Sequence, residues 1–89
     1  MVYLISYDIL DRNKADEDPV LAKLKSMGAT RCLYSEWLYE SGKSVQQIGN
    51  EVAAVTTEGD RLLVVALGSE FAYTSLLNEK ASLAVLARA

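Results

Sequence analysis

Hydrophobic residues at two different spacings predict a strand and then a helix in the first third of the chain. Residues 2–7 are largely apolar on both alternations, which predicts a central strand, and Asp8 ends it. A polar loop follows. Asp18 precedes a proline, a combination typical of a helix start, and apolar residues then recur at helical spacing. We predict a helix over about residues 19–27, ended by Gly28 in a left-handed conformation.

The middle of the chain predicts two more strands and a second helix. Residues 29–41 are rich in β-formers but too long for one ordinary strand, so they are expected to form two short strands divided near Ser35, or one strand with a sharp bend there. Ser44 and Gln47 have the spacing of a capping box. The apolar positions behind them predict a helix over about residues 45–56.

The last third begins with an apolar strand over residues 61–67 and ends in a segment with a weaker pattern. Within residues 68–89, Asn78 is a candidate cap for a final helix that carries Leu83 and Leu86 on one side. We therefore expect the tail to be helical.

The predicted order is β-α-β-β-α-β, which indicates an α+β protein with a ferredoxin-like sandwich and a C-terminal helical tail. We predict one domain over residues 1–89, with a core over 1–67 and a tail over 68–89. Two helices cover only one side of a four-stranded sheet, yet the first and last strands are apolar on both sides. A homodimer is therefore expected, with the tail helping to cover the second face.

Composition excludes several classes of function. The net charge is −3 and no three Lys or Arg residues cluster, which argues against tight, independent binding of duplex nucleic acid. The chain has no histidine, which excludes Ser-His-Asp, Cys-His and zinc-hydrolase mechanisms within one chain. A single cysteine, Cys32, and the absence of a membrane-length apolar run predict a cytoplasmic protein without membrane association.

Asp8 is the main candidate for chemistry. A carboxylate at the carboxyl end of a buried strand is held rigidly, reaches solvent and suits a metal ligand or a general base. The alternative is an aspartate that accepts backbone N–H bonds from the following loop. A second carboxylate for Mg²⁺ would come from Asp8 of a dimer mate, because the acids near the first helix do not have calcium-loop spacing.

The second β region contains the other candidates. Trp37 can stack on a base, although a lone tryptophan in a strand more often belongs to a core or a dimer interface. Arg31 can contact phosphate or pair with an acid on a neighbouring strand.

Several of these segments resemble one protein family. The resemblance lies in residues 3–9, the helix ending at Gly28, residues 34–37 and the apolar strand after Asp60, and it covers most of the first 67 residues. The family is that of the CRISPR-associated small endoribonuclease-like proteins, the dimeric adaptors of the spacer-acquisition integrase. It includes stand-alone bacterial homologues related to virulence-associated protein D.

The resemblance implies a ferredoxin-like homodimer whose Asp8 binds a divalent metal, with Ser35 and Trp37 matching the family's second β region. Some family members are described as metal-dependent nucleases and others as structural adaptors. Of the Arg-Lys cluster after the first strand, this chain keeps Arg12 and Lys14 as candidate nucleic-acid contacts.

Two hypotheses follow from the residues and the resemblance together. In the first, the chain is an endoribonuclease in which Mg²⁺ at Asp8 activates water, Arg31 steadies phosphate and Ser35 orients the scissile group. In the second, it is a non-catalytic dimeric adaptor that binds a protein partner. A small-molecule site between sheet and tail is a third, weaker alternative.

Overall fold

The computed structural model describes residues 1–9 and 18–89. These residues form four strands and three helices. In chain order they are β1 (Val2–Asp8), α1 (Pro19–Ser26), β2 (Thr30–Leu33), β3 (Glu36–Glu40), α2 (Val45–Ala53), β4 (Arg61–Ala66) and α3 (Glu79–Leu86).

The four strands form one antiparallel sheet in the order β2-β3-β1-β4. The division of the second β region is confirmed, since residues 34–35 form the turn between β2 and β3. The protein therefore has an α+β architecture that is compatible with the ferredoxin-like type.

Local hydrogen bonds explain where α1 begins and ends. The Val20 N–H donates to Asp18 Oδ1 at 2.7 Å, and Pro19 occupies the first helical position, where a missing N–H costs nothing. Gly28 has a φ of 80°, the left-handed geometry expected just after the helix.

The capping box of α2 is confirmed, but the helix is shorter than predicted. The Gln47 N–H donates to Ser44 Oγ at 3.1 Å, and the Ser44 N–H donates to Gln47 Oε1 at 2.8 Å. Hydrogen bonds from Val55 and Thr56 reach back only three residues, so the chain tightens into a turn and α2 ends at Ala53.

One face of the sheet packs against α1 and α2. Residues that alternate along β1 point to this face, as expected for a strand. The buried members of the core are Tyr3, Ile5, Tyr7, Val20, Leu21, Leu24, Trp37, Ile48 and Val52. This face is called the helix face below.

The opposite face, called the tail face, is covered over β2 and β3 by α3. Leu86 of α3 packs with Cys32 and Leu38 in a second buried cluster, so the helical tail is confirmed as part of the fold. The Ser82 side chain is completely buried and its Oγ donates to the Leu77 carbonyl oxygen at 2.8 Å.

Asn78 occupies the N-cap position of α3, as predicted, but its side chain does not cap the helix. It has a φ of 48° and makes no side-chain cap bond, and its Nδ2 instead donates to the Arg31 carbonyl oxygen at 3.0 Å. The Leu77 N–H donates to the Cys32 carbonyl oxygen at 2.9 Å. The segment before α3 is thus attached to the outer edge of β2.

The rest of the tail face remains exposed at β4. Leu63 is 60 % exposed and Val65 is 38 % exposed, although both belong to an apolar strand. Within the described ranges, no helix has the length and apolar character needed to cross a membrane.

Candidate functional site

Strand register assembles the candidate site at the carboxyl end of β1. Ser6 of β1 pairs with Glu36 of β3, so the turn that precedes β3 lies beside the last residues of β1. The Tyr7 N–H donates to the Ser35 carbonyl oxygen at 3.1 Å. On the other side, Asp8 pairs with Arg61, the first residue of β4. Residues distant in sequence meet here because neighbouring strands are antiparallel.

A pocket of about 50 Å³ lies at this end of the sheet. It brings together three of the residues selected from the sequence, Asp8, Arg31 and Ser35. The remaining lining residues are Tyr7, Ile9, Leu21 and Tyr34. Since a ligand pocket for a larger molecule is typically several hundred Å³, this one admits only a small group.

The Arg31 guanidinium lies close to two aromatic rings. Its Cζ lies 4.9 Å from the centroid of the Tyr34 ring and 5.6 Å from that of the Trp37 ring. Its Nε and Nη2 donate to the Tyr34 carbonyl oxygen at 2.9 and 2.5 Å. These contacts restrict the side chain, and three of its five N–H donors have no partner among the described residues.

Asp8 approaches the pocket from the other side of the sheet. Tyr7 points to the helix face, so strand alternation directs the side chain of the next residue, Asp8, to the tail face. Arg31, in contrast, lies near Trp37 on the helix face. The Asp8 side chain is half exposed, and its Oδ2 lies 3.9 Å from Arg61 Nη1. This long, exposed ion pair contributes little to stability.

Trp37 belongs to the core. It is 4 % exposed, and its Nε1 donates to the Tyr7 hydroxyl at 3.2 Å. The base-stacking role would require this ring to leave the core, so the core alternative fits its position.

Two other candidates, Arg12 and Lys14, lie outside the described residues. Within residues 1–9 and 18–89, no three His, Cys, Asp or Glu side chains form a group able to hold a metal ion. The donor chemistry of Asp8 nevertheless suits Mg²⁺, which commonly takes one or two carboxylates together with water and substrate phosphate oxygens.

Two residues of this site, Tyr34 and Arg61, were not predicted as site residues from the sequence. Tyr34 lies in the turn between β2 and β3 and is 61 % exposed. Arg61 begins the last strand, and in an antiparallel pair this position lies opposite the end of the first strand. The positions of Tyr34 and Arg61 at the site follow from the strand pairing rather than from a local pattern in the sequence.

No protein-family model matches the chain. The site must therefore be interpreted from its own geometry. A fixed guanidinium, a hydroxyl-bearing turn residue and a half-exposed carboxylate surround a small pocket. Guanidinium and hydroxyl groups bind phosphate oxygens, and a carboxylate binds a cation or orients water.

Proposed function

We propose that this protein is a ferredoxin-like, self-associating endoribonuclease that acts on RNA phosphodiesters at the pocket beside Asp8. The observation that carries the proposal is the convergence of Asp8, Arg31 and Ser35 on one pocket, although they come from β1, β2 and the turn between β2 and β3. The family resemblance adds to it, and the antiparallel sheet with α1 and α2 on one face is compatible with that family's fold.

Arg31, Ser35 and Asp8 have different roles in the proposed reaction. Arg31 binds a non-bridging phosphate oxygen through the N–H donors that Tyr34 does not occupy. The Ser35 hydroxyl donates a hydrogen bond to the scissile phosphate group and so orients that group. Asp8 would hold Mg²⁺, which would supply positive charge and a bound water as nucleophile. That water would add to phosphorus as the P–O bond to the leaving ribose oxygen breaks, and the proton that it loses would pass through solvent to that oxygen.

Cleavage of a fluorogenic RNA tests this proposal. We expect Mg²⁺-dependent cleavage that Asp8→Asn lowers by about 100-fold or more, the scale on which a positioned catalytic group acts. Glu70→Gln is the matched control, because it makes the same charge change at an exposed position after β4, beyond the end of that strand that lies away from Asp8. Equal cleavage by wild type and Asp8→Asn would identify a contaminant and contradict the proposal.

A second candidate function is that of a non-catalytic homodimeric adaptor. It is favoured by the exposure of Leu63 and Val65, which lie on the tail face of the edge strand β4. A second copy that packs there buries apolar surface and brings the Asp8 side chains of both copies towards the joint, since Asp8 is directed to the same face.

Analytical ultracentrifugation tests the self-association. We expect a dimer for the wild type and a monomer for the double variant Leu63→Lys/Val65→Lys, because the two added lysines of each copy would be buried against those of the other copy. The control is Leu77→Lys, which adds a charge at another exposed apolar position, near the attachment of α3. A wild type that is monomeric at high concentration would exclude the dimer in both candidate functions.

A further inference from the structure

The turn between β2 and β3 carries an aromatic side chain on the rim of the pocket. Tyr34 is 61 % exposed, and it also lines the pocket with Asp8, Arg31 and Ser35. Trp37, the residue considered for base stacking from the sequence, is instead buried, and the Arg31 guanidinium lies near both rings. The accessible aromatic surface at this site therefore belongs to Tyr34.

Arg31 fixes Tyr34 in two ways. Its guanidinium lies over one side of the Tyr34 ring, and its Nε and Nη2 hold the carbonyl oxygen of the same residue. Such a cation–π contact is worth about 0.5–1 kcal/mol at an exposed site, enough to bias the rotamer of the ring. The side of the ring away from Arg31 is left to contact a ligand.

The size of the pocket separates two parts of a nucleotide. A volume of about 50 Å³ holds a few water-sized groups, so a phosphate-sized group enters beside Arg31 and Ser35 while a base does not. The base must then lie outside the pocket, where Tyr34 offers the nearest aromatic surface.

We infer that Tyr34, held in place by Arg31, is a binding residue on which an RNA base stacks while the adjoining phosphate occupies the pocket. The inference rests on the proposed function for the choice of RNA, and it assigns a contact that the cleavage chemistry does not require. Base–aromatic stacking contributes about 1–3 kcal/mol per base and tolerates any base, because every base has a π face. Tyr34 therefore contributes affinity more than sequence preference.

The test measures binding of a labelled single-stranded oligoribonucleotide by fluorescence anisotropy, with EDTA present so that cleavage does not interfere. Tyr34→Ala is expected to weaken binding by about 5- to 150-fold, which corresponds to the loss of one stacked base. Tyr34→Phe keeps the ring and is expected to bind within about twofold of wild type, whereas Tyr34→Leu is expected to behave like Tyr34→Ala. Tyr73→Ala, at another exposed aromatic residue, is the matched control.

An abasic oligonucleotide of the same length sharpens the result. It still offers phosphates to Arg31, so it should bind more weakly than the normal strand, and Tyr34→Ala should cause no further loss with it. Trp37, the single tryptophan, lies against Arg31 and gives an unlabelled fluorescence signal for occupation of the pocket.

The two proposals fail separately. Unchanged binding by Tyr34→Ala or Tyr34→Leu would overturn the stacking inference even if Asp8→Asn abolishes cleavage. RNA binding that depends on Tyr34 in a protein that cuts no RNA would overturn the nuclease and leave the stacking contact standing. A wild type that binds no RNA would overturn both.

Discussion

The two halves of the tail face have similar apolar residues but opposite surroundings. Over β2 and β3, Cys32 and Leu38 are buried beneath α3. Over β4, Leu63 and Val65 are exposed. The strand sequences alone do not predict this difference, because both halves have the composition of a buried sheet.

The difference arises because the tail helix α3 covers β2 and β3 and leaves β4 exposed on the same face. The segment before α3 is bonded to the edge of β2 through Leu77 and Asn78, which places α3 over the neighbouring strands. With eight residues, α3 spans about 12 Å and does not extend across the whole sheet. The uncovered half of the tail face includes β4, whose first residue pairs with Asp8.

The largest expected effect comes from truncating a buried side chain in the covered half. Leu38→Ala should lower the free energy of unfolding by about 2–5 kcal/mol, because it leaves a cavity between the sheet and α3. Leu63→Ala, the matched change in the exposed half, should alter it by less than about 0.5 kcal/mol in the monomer. Urea denaturation of both variants measures the contrast, and equal losses would show that the two halves are equally buried in solution.

A smaller effect is expected where α3 is attached. Ser82→Ala removes the hydroxyl that bonds the Leu77 carbonyl and should cost about 1–3 kcal/mol, since a partly buried hydrogen bond is lost at a fully buried side chain. Local opening of α3 should then expose Cys32, and the rate of thiol alkylation should rise by about tenfold or more. Lys80→Ala, an exposed change in the same helix, should leave the rate near that of wild type. No change in alkylation with Ser82→Ala would mean that Cys32 is reached without α3 opening.

The covered half should also show a pH dependence through its cysteine. Burial raises the pKa of the Cys32 thiol, and the negative charge of Glu36 raises it further. The folded state therefore retains the proton more strongly than the unfolded state. This contribution to stability is complete below the unfolded thiol pKa of about 8.5 and is lost as the pH rises through the folded value.

Denaturation of Cys32→Ala measures this contribution. Between about pH 8 and pH 10, the wild type should lose stability more steeply than the variant, which lacks the titrating group. Comparison of slopes, rather than of absolute stabilities, removes the constant cost of the smaller side chain. Parallel slopes would contradict a raised thiol pKa.

The smallest effect is expected on the other side of the sheet, at an ion-pair network on the solvent surface. Hydrogen bonds from Lys43 and then Lys23 lower the pKa of Glu51. The stabilisation is present above the ordinary Glu pKa and is lost as the pH falls through the lowered folded value. Glu51→Gln should slightly lower the melting temperature at neutral pH and flatten its fall towards acidic pH, and added salt should reduce the difference. An unchanged acid dependence would show that the network is not formed in solution.

Local signals in the sequence correctly predicted most of the elements. The Asp18 cap, the Ser44–Gln47 capping box and the left-handed Gly28 depend on neighbouring residues, so they are visible without the fold. The N-cap position of Asn78 was also predicted, but the partner of its side chain lies in β2, which is remote in sequence, and could not be.

The candidate site was predictable only in part. Asp8 at a strand end and the neighbourhood of Ser35 were selected from the sequence and its resemblance, and the structure brings both to one pocket. The partners of these residues follow from strand pairing instead. Only the register places Arg61 beside Asp8, and only the packing of Arg31 distinguishes the exposed Tyr34 from the buried Trp37.

Element order, the caps of α1 and α2, and the apolar character of both sheet faces were therefore determined by the sequence, because each depends on periodicity or on residues a few positions apart. The tertiary structure decided which half of the tail face is covered and which aromatic residue reaches solvent. These depend on contacts between distant segments, such as Leu86 with Leu38, and their geometry is set by strand register and packing.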